Sequence, residues 1–506
     1  MSFATDRQIL VPLPQYPVAR LILMAVSFGL LALALLDILG PQYTDSIWSQ
    51  TVSICLLVWI ITFAGFLLAT HKSLYCFGLA YVIALVLFHL GSVVAIAVGI
   101  LLPEDVSLQL TEQGIRLASW YTIYALGAFG IGYAAGFRIE RRVVPVQTVR
   151  ATLDLEFFYG FGLLLASFVF LALAIQSLGN LLTYSRLDLF QSKDDVRGFG
   201  AMLMVFPSAL IALVVGANRP TQRLVAYSIG LIGFAILVLS GYRTSALYPV
   251  MIGAILWVKT GRRIPNVLAI GMVIAVMIAI PIIGALRQTG PYGALDQQQL
   301  SEAADQSDWR GGLVSMGQTN GILASMLDLV PRRDPYRYGE SYIDAVLQAF
   351  PNIGMKHSES PRELINRLKT RPGGDPARLL PLNDWLTYRI APDQFFMGAG
   401  TGSSSIGEAY VNFGVAGVFV AFILFGFAFS RLDGLNLRHR PWLLLLLSVG
   451  MFHFCRTVRD DISNFTKPFV FCLIIILLWT LVLKAMRRTG ILANWVPQVK
   501  STPHPQ

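Results

Sequence analysis

Long apolar segments recur along this chain and are interrupted once, by a polar stretch running from about Gln288 to Gly402. In a helix rising about 1.5 Å per residue, about twenty apolar residues cross the hydrocarbon core of a bilayer. Twelve segments meet or approach that length: roughly 18–39, 47–69, 75–101, 117–137, 155–178, 199–217, 224–240, 245–259, 267–287, 404–430, 442–456 and 468–486. The pattern predicts an all-α polytopic membrane protein with about 12 transmembrane helices and one large loop between the ninth and tenth spans. Segments 245–259 and 442–456 are short, and are expected to be tilted, partly buried or re-entrant. The organisation that follows is a transmembrane bundle of nine spans over 1–287, a loop over 288–402, a bundle of three spans over 403–490 and a tail over 491–506. The sequence has no internal repeat of fixed period.

An even number of spans puts both termini on one side, and the basic residues of the short loops say which, because Lys and Arg are retained on the cytoplasmic face during insertion. Alternate loops carry Lys72, then Arg138, Arg141, Arg142 and Arg150, then Arg219 and Arg223, then Lys259, Arg262 and Arg263, then Arg431, Arg438 and Arg440, and finally Lys484, Arg487 and Arg488. These loops and both termini are expected to be cytoplasmic. The opposite set includes GPQYTDS, with no basic residue, and the loop around Tyr184 to Arg197, whose acids balance its bases. The 288–402 loop falls in this outward set, since long domains translocate whatever their charge.

Composition agrees: 55% of residues are hydrophobic and 13% charged, about half the charged fraction of an ordinary soluble chain. The net charge of +10 reflects the insertion bias, so it calls for no nucleic-acid partner. The four cysteines, Cys55, Cys76, Cys455 and Cys472, fall in apolar stretches and read as small buried hydrophobes, not as a disulfide framework. The polar, proline-rich start MSFATDRQILVPLPQYP lacks the form of a cleaved signal peptide, so the first span is expected to be retained.

The outward loop changes texture twice. TGPYGALDQQQLSEAADQSDW is polar and acidic and predicts a short helix. Gly311 to Leu329 reads as an amphipathic helix lying at the membrane surface or against the bundle. From Val330 to Leu379 arginines, prolines and aromatics crowd together, too punctuated for one helix and too apolar for a linker. That piece is expected to fold as a lid over the bundle.

The candidate chemistry is basic and outward. Arg243 in LSGYRTSALYP, Arg287 in IIGALRQTG, and Arg456 and Arg459 in HFCRTVRDDISNF each come where a span leaves the membrane. Guanidinium groups make paired, charge-assisted hydrogen bonds to phosphate oxygens, so several converging arginines would form a diphosphate site. Snorkelling to the interface is the alternative for any one of them. In MGAGTGSSSIGEAYVNFGVAGVFVAF, Glu408 lies a turn inside an otherwise apolar segment, with Ser403, Ser404, Tyr410 and Asn412 beside it. An ionisable residue at membrane depth costs several kcal/mol unless paired or facing water. Glu408 is therefore either a functional carboxylate or the neutraliser of a neighbouring arginine. His357 lies in a polar stretch where an exposed loop histidine is the alternative, while His89 and His453 lie inside spans and are expected to hydrogen-bond within the bundle. Cys, His and carboxylate spacings suggest no metal site, and no cofactor is expected.

GYRTSALYP, YGESYIDAVLQAFPNIGMK in the large loop, GSSSIGEAYVNFGVAG leading into the next span, and RTVRDDISNF together resemble the Wzy-type polymerases of bacterial O-antigen and exopolysaccharide synthesis. The resemblance runs from about Leu239 to Phe465 and is strongest over Gly407–Gly417 and Pro351–Lys356. Where the family often has Arg-Gly-Asp, this chain has Arg459-Asp460-Asp461.

The resemblance implies a GT-C-like glycosyltransferase of the inner membrane, multi-pass, with its large loop periplasmic. It would join oligosaccharide repeat units carried on undecaprenyl diphosphate, and a Wzz-type chain-length regulator would be a partner beside the lipid bilayer. Negative charge grows on the diphosphate as it leaves, and preorganised cations stabilise it. Arg243, Arg287, Arg456 and Arg459 are the candidate diphosphate ligands. Arg332, Arg333 and Lys356, with Tyr410 and Asn412, are candidates for holding the glycan or acceptor. Removing the acceptor hydroxyl's proton needs a base. Glu408 is the first choice, with His357 and Asp460 in reserve. An O-antigen ligase shares the donor and the large loop. A lipid-linked oligosaccharide flippase or other transporter would carry its charge at midplane in two repeated halves, unlike this chain. A non-catalytic scaffold would have no need of converging arginines.

Overall fold

A computed structural model describes residues 16–40, 47–101, 111–138, 146–178, 198–239, 242–275, 309–350, 361–369 and 375–488. Every regular element among them is helical: α1 (Pro17–Leu39), α2 (Trp48–His71), α3 (Phe77–Ala97), α4 (Glu112–Gly136), α5 (Val146–Leu178), α6 (Phe199–Gly216), α7 (Pro220–Leu239), α8 (Arg243–Lys259) and α9 (Asn266–Ala275) precede the lid. The segment expected to form the lid holds α10 (Trp309–Leu329), α11 (Glu340–Gln348), α12 (Pro361–Lys369), a 3-10 turn at Pro376–Leu379, α13 (Leu382–Ile390) and α14 (Pro392–Phe396). Then come α15 (Ser405–Gly434), α16 (Pro441–Arg456) and α17 (Ser463–Arg488).

Eight of the described helices are long and apolar enough to cross a membrane: α1, α2, α3, α5, α6, α7, α15 and α17. The expected short segments 245–259 and 442–456 appear as α8 and α16, helices of 17 and 16 residues. The expected span 117–137 appears as α4, buried along most of its length. Of the expected 267–287 span, the described part is α9. The acidic segment at 288–308 lies outside the described residues.

Glycine spacing makes α4 the axis. Side chains absent at Gly127 and Gly130 admit Ser27 of α1, and those absent at Gly132 and Gly136 admit the backbone of α15 at Ile423 and Phe427. A methyl at Gly132 would lie 2.0 Å from the Ile423 carbonyl oxygen, and Gly426 returns the same closeness to Phe129. With little hydrophobic drive between helices in lipid, such close backbone approach is what holds them. A second group of helices, α5, α6, α16 and α17, packs around Leu163, Leu213, Val449 and Cys472. All four cysteines are free and buried.

At the end of the bundle away from the lid, Asp433 accepts from the amides of Phe77 (2.7 Å) and Gly78 (2.9 Å) and from the Tyr133 hydroxyl, capping α3 across most of the chain. Lys259 lies 3.7 Å from the same carboxylate. Arg262 donates to the Val215 and Ala217 carbonyls and so closes the C-terminus of α6. The basic loops around Lys72, Arg219, Arg262 and Arg438 thus come together at one end of the bundle.

Of the two places open to the amphipathic segment at Gly311–Leu329, α10 takes the one against the bundle. It packs on α3 and α4, with Asn320 donating to Ser119 and to the Ile115 carbonyl.

Candidate functional site

Serines at the start of α15 are gripped by α3. Ser404 caps α15 by accepting from the Gly407 amide and meets His89 Nε2 at 2.8 Å, while Tyr81 and Ser405 share a hydrogen bond of 3.1 Å. His453 likewise bonds inside the bundle, to the Met204 carbonyl. Two turns further along, α15 breaks. Phe413 leaves helical geometry and Gly414 adopts φ 64°, ψ −153°, a conformation open essentially to glycine alone. The break releases the carbonyls of Val411 and Asn412, which accept from the amides of Arg337 and Tyr338 in the lid. Asn412 Oδ1 also accepts from the Gly339 amide at 2.8 Å.

Glu408 sits between the break and the cap, 3% exposed. One carboxylate oxygen accepts from Ser341 Oγ at 2.7 Å and the other from the Ile462 amide at 2.9 Å. Ser341 in turn accepts from Asn412 Nδ2 at 2.7 Å. The direct partners of Glu408 are thus a hydroxyl and an amide.

Ile462 ends a turn that carries the candidate arginines. Arg459 accepts through its carbonyl from the Ser403 amide at 3.1 Å, so the turn is stitched to the start of α15 at Ser403 and again at Glu408. The Arg459 guanidinium lies 5.1 Å over the Phe88 ring, and Arg456 reaches Asp460 at 3.9 Å with its Nε buried and unpartnered. The Tyr248 hydroxyl on α8 is buried and has no hydrogen-bond partner among the described residues. α8 opens at Arg243 and packs along α16, the helix that leads into this turn. Asp461, also buried, accepts from Ser463 and Asn464 and caps α17.

Arg337 lies on the other side of Glu408. Its guanidinium donates to the Leu380 carbonyl, stands 5.1 Å over Trp385, and leaves one buried Nη without a partner. Burial pulls its pKa below the usual arginine value, against the opposing charges of Asp344, Glu340, Asp334 and Glu408. Asp334 takes two bonds from Arg389 and one from Trp385, which ties this part of the lid together. Tyr410 stacks edge-on between Tyr121 and Tyr336, and Tyr336 in turn meets Tyr338, so rings lead from the bundle to the lid surface. Arg332 and Arg333 are exposed and share Asp328. Arg287, Lys356 and His357 lie outside the described residues, as does the side chain of Arg243.

An apolar groove of about 440 Å³ runs between α6, α7 and α8, lined by Leu210, Phe234, Ala246, Pro249 and Trp257 among others.

The family model for O-antigen polysaccharide polymerase Wzy matches residues 22–488, nearly the whole chain. The chain belongs to this family. It is accordingly a membrane-embedded, glycosyl-transferring polymerase of lipopolysaccharide synthesis, acting on lipid-linked oligosaccharide repeat units. Neither a curated protein nor a solved structure gives a significant match to the chain.

Of the candidate residues, Glu408, Tyr410, Asn412, Arg456, Arg459 and Asp460 are brought into one region by α15 and the turn after α16. Arg337 and Ser341 carry no mark in the sequence pattern. Arg337 lies in a loop already dense with arginine, and only the unusual sequence Tyr336-Arg337-Tyr338-Gly339 could have marked it.

Proposed function

We propose that this polymerase moves a growing glycan from one undecaprenyl diphosphate onto the terminal sugar of the next lipid-linked unit, on the periplasmic face of the inner membrane. The acceptor hydroxyl oxygen attacks the anomeric carbon, the bond from that carbon to the diphosphate oxygen breaks, and undecaprenyl diphosphate leaves with the electron pair. A carboxylate takes the hydroxyl proton. The observation that carries this reading is the stitching of the Arg456–Arg459 turn to α15 at Glu408 and Ser403. It fixes the backbone that carries two guanidinium groups, which would stabilise charge developing on a diphosphate. Arg243 and Arg287 remain the other candidate diphosphate ligands, and fixed positive charge of this kind would serve the leaving group without calling on a metal.

Glu408 and Asp460 divide the carboxylate work. Both oxygens of Glu408 are already occupied and buried, so it acts as a positioning residue for the arginine turn. Asp460, partly exposed on that turn, is the proton acceptor, with His357 in reserve. Tyr410, Asn412, Arg332, Arg333 and Lys356 are the proposed contacts to the glycan or acceptor. The groove between α6, α7 and α8 suits an isoprenoid chain. The gathering of basic loops at the far end of the bundle supports a cytoplasmic far end and a periplasmic lid. About twelve spans in a GT-C-like arrangement, divided at 287, 402 and 490, complete the proposal, with a Wzz-type regulator docking from outside.

Purified protein in lipid, given undecaprenyl-diphosphate-linked repeat units, should build a ladder of lengthening glycans on a gel. Arg459→Ala and Arg456→Ala should abolish it. Transfer only to lipid A core would indicate a ligase, and movement of intact lipid across the bilayer without a ladder would indicate a flippase; either result overturns the proposal.

A further inference from the structure

The nine-residue helix α11 has three faces. Ser341, Ala345 and Ala349 are buried, and Glu340, Asp344 and Gln348 form a polar line beside them. The third face is apolar and open: Ile343 is 60% exposed, Val346 55%, Leu347 65% and Phe350 65%. Their spacing of three and four residues places them in one stripe. A water-facing helix would not present four large apolar side chains, and a core helix would cover them.

What covers this stripe follows from where α11 sits. Its buried face packs on the first turns of α17, and Thr466 Oγ1 donates to the Ala345 carbonyl at 2.7 Å. α17 is a membrane-crossing helix by length and hydropathy, and its outer side bears exposed Leu477, Leu478 and Leu481. The apolar stripe of α11 therefore lies beside the first turns of a helix long and apolar enough to cross the bilayer. Tyr338 and Phe350 flank the helix, both strongly exposed, as aromatic side chains do at a membrane boundary. A helix with adjoining polar and apolar exposed arcs lies in the interface plane, about 5–10 Å into the boundary between headgroups and acyl chains.

We propose that α11 is an interfacial helix that seats the lid in the outer leaflet through Ile343, Val346, Leu347 and Phe350. Its occupant is lipid, not protein. The same helix carries Ser341, one turn away on its buried face, whose hydroxyl donates to Glu408. Lipid contact thus sets the height of the Glu408 network relative to the headgroups.

The test uses full-length protein in nanodiscs, with single cysteines placed at Val346 or Phe350, or at Glu340 as the polar reference, and labelled with bimane; the four native cysteines are buried. Val346→Cys and Phe350→Cys labels should be quenched at least twofold more by phosphatidylcholine carrying a doxyl group at acyl carbon 5 than by aqueous iodide. The Glu340→Cys label should show the reverse. Labels at 346 and 350 quenched by iodide as strongly as at 340 would overturn the proposal, because the stripe would then face water. Protection from both quenchers would overturn it equally, by showing that a second copy or another protein covers the stripe. Unchanged elution of each variant on size exclusion confirms that the fold is intact.

Discussion

Glu408→Gln and Glu408→Ala separate a positioning role from a proton-accepting one. Alanine leaves the Ser341 hydroxyl and the Ile462 amide without their acceptor. A buried unsatisfied donor costs about 1–3 kcal/mol, so two such donors would cost roughly 2–6 kcal/mol. Because Ile462 closes the turn that carries Arg459, the same loss releases the arginines. Glutamine keeps the length and shape of the side chain. Its carbonyl accepts from the Ile462 amide while its amide donates to Ser341 Oγ, whose hydroxyl rotates, at a cost of about 1 kcal/mol for the weaker network. Thermal unfolding in detergent reads the first quantity, and the glycan ladder from purified protein in lipid reads the second. The alanine variant should be markedly destabilised and make no ladder, whereas the glutamine variant should keep its ladder within about tenfold, the factor set by 1.4 kcal/mol. A general base contributes about 10²- to 10⁴-fold. A glutamine variant that folds normally but loses more than about 100-fold of its activity, while Asp460→Asn stays active, would make Glu408 the proton acceptor and refute the positioning role.

Arg459→Lys should retain part of the activity that Arg459→Ala loses, because an ammonium keeps the charge but not the paired geometry toward phosphate; initial rates of ladder formation measure the difference. Gly414→Ala places a side chain in a glycine-only conformation and 3.3 Å from the Tyr336 hydroxyl, so unfolding should come about 1–3 kcal/mol sooner. Gly132→Ala would press a methyl into the Ile423 carbonyl oxygen and should cost about 1–3 kcal/mol or more by overpacking, read as a lower melting temperature. Arg332→Ala with Arg333→Ala breaks only exposed pairs with Asp328, worth about 0–1 kcal/mol; the melting temperature should hold, and any change in glycan length would report contact with the polymer.

Apolar run length carried most of the architecture, because lipid tolerates only helices whose backbone groups are satisfied within the segment. Helix ends were legible for the same reason, and with them the positions of Arg456 and Arg459. Glu408 stood out as a carboxylate inside an apolar run. Its partners did not, since Ser341 lies 67 residues and Ile462 54 residues away along the chain, and nothing local marks a serine that will meet it. The buried aspartates were hidden in a different way. Asp334, Asp433 and Asp461 sit near helix ends, where an acid in sequence reads as solvated, yet each accepts several hydrogen bonds within the fold. The amphipathic pattern of 311–329 matched a surface helix and a packed helix equally well, and packing against α3 and α4 decided between them.

The break at Gly414 gives α15 two allegiances. Beyond it, the helix is locked against α4 by glycine contacts too close to slide. Before it, the chain bonds to the lid at Arg337, Tyr338 and Gly339. A polymerase repeats its cycle many times, and a rocking lid transmitted down a continuous helix would have to repack that glycine-tight seam at every addition. With the backbone interrupted at one glycine, the lid contacts and the glycine-tight seam belong to two separate helical pieces, so a change at one need not repack the other.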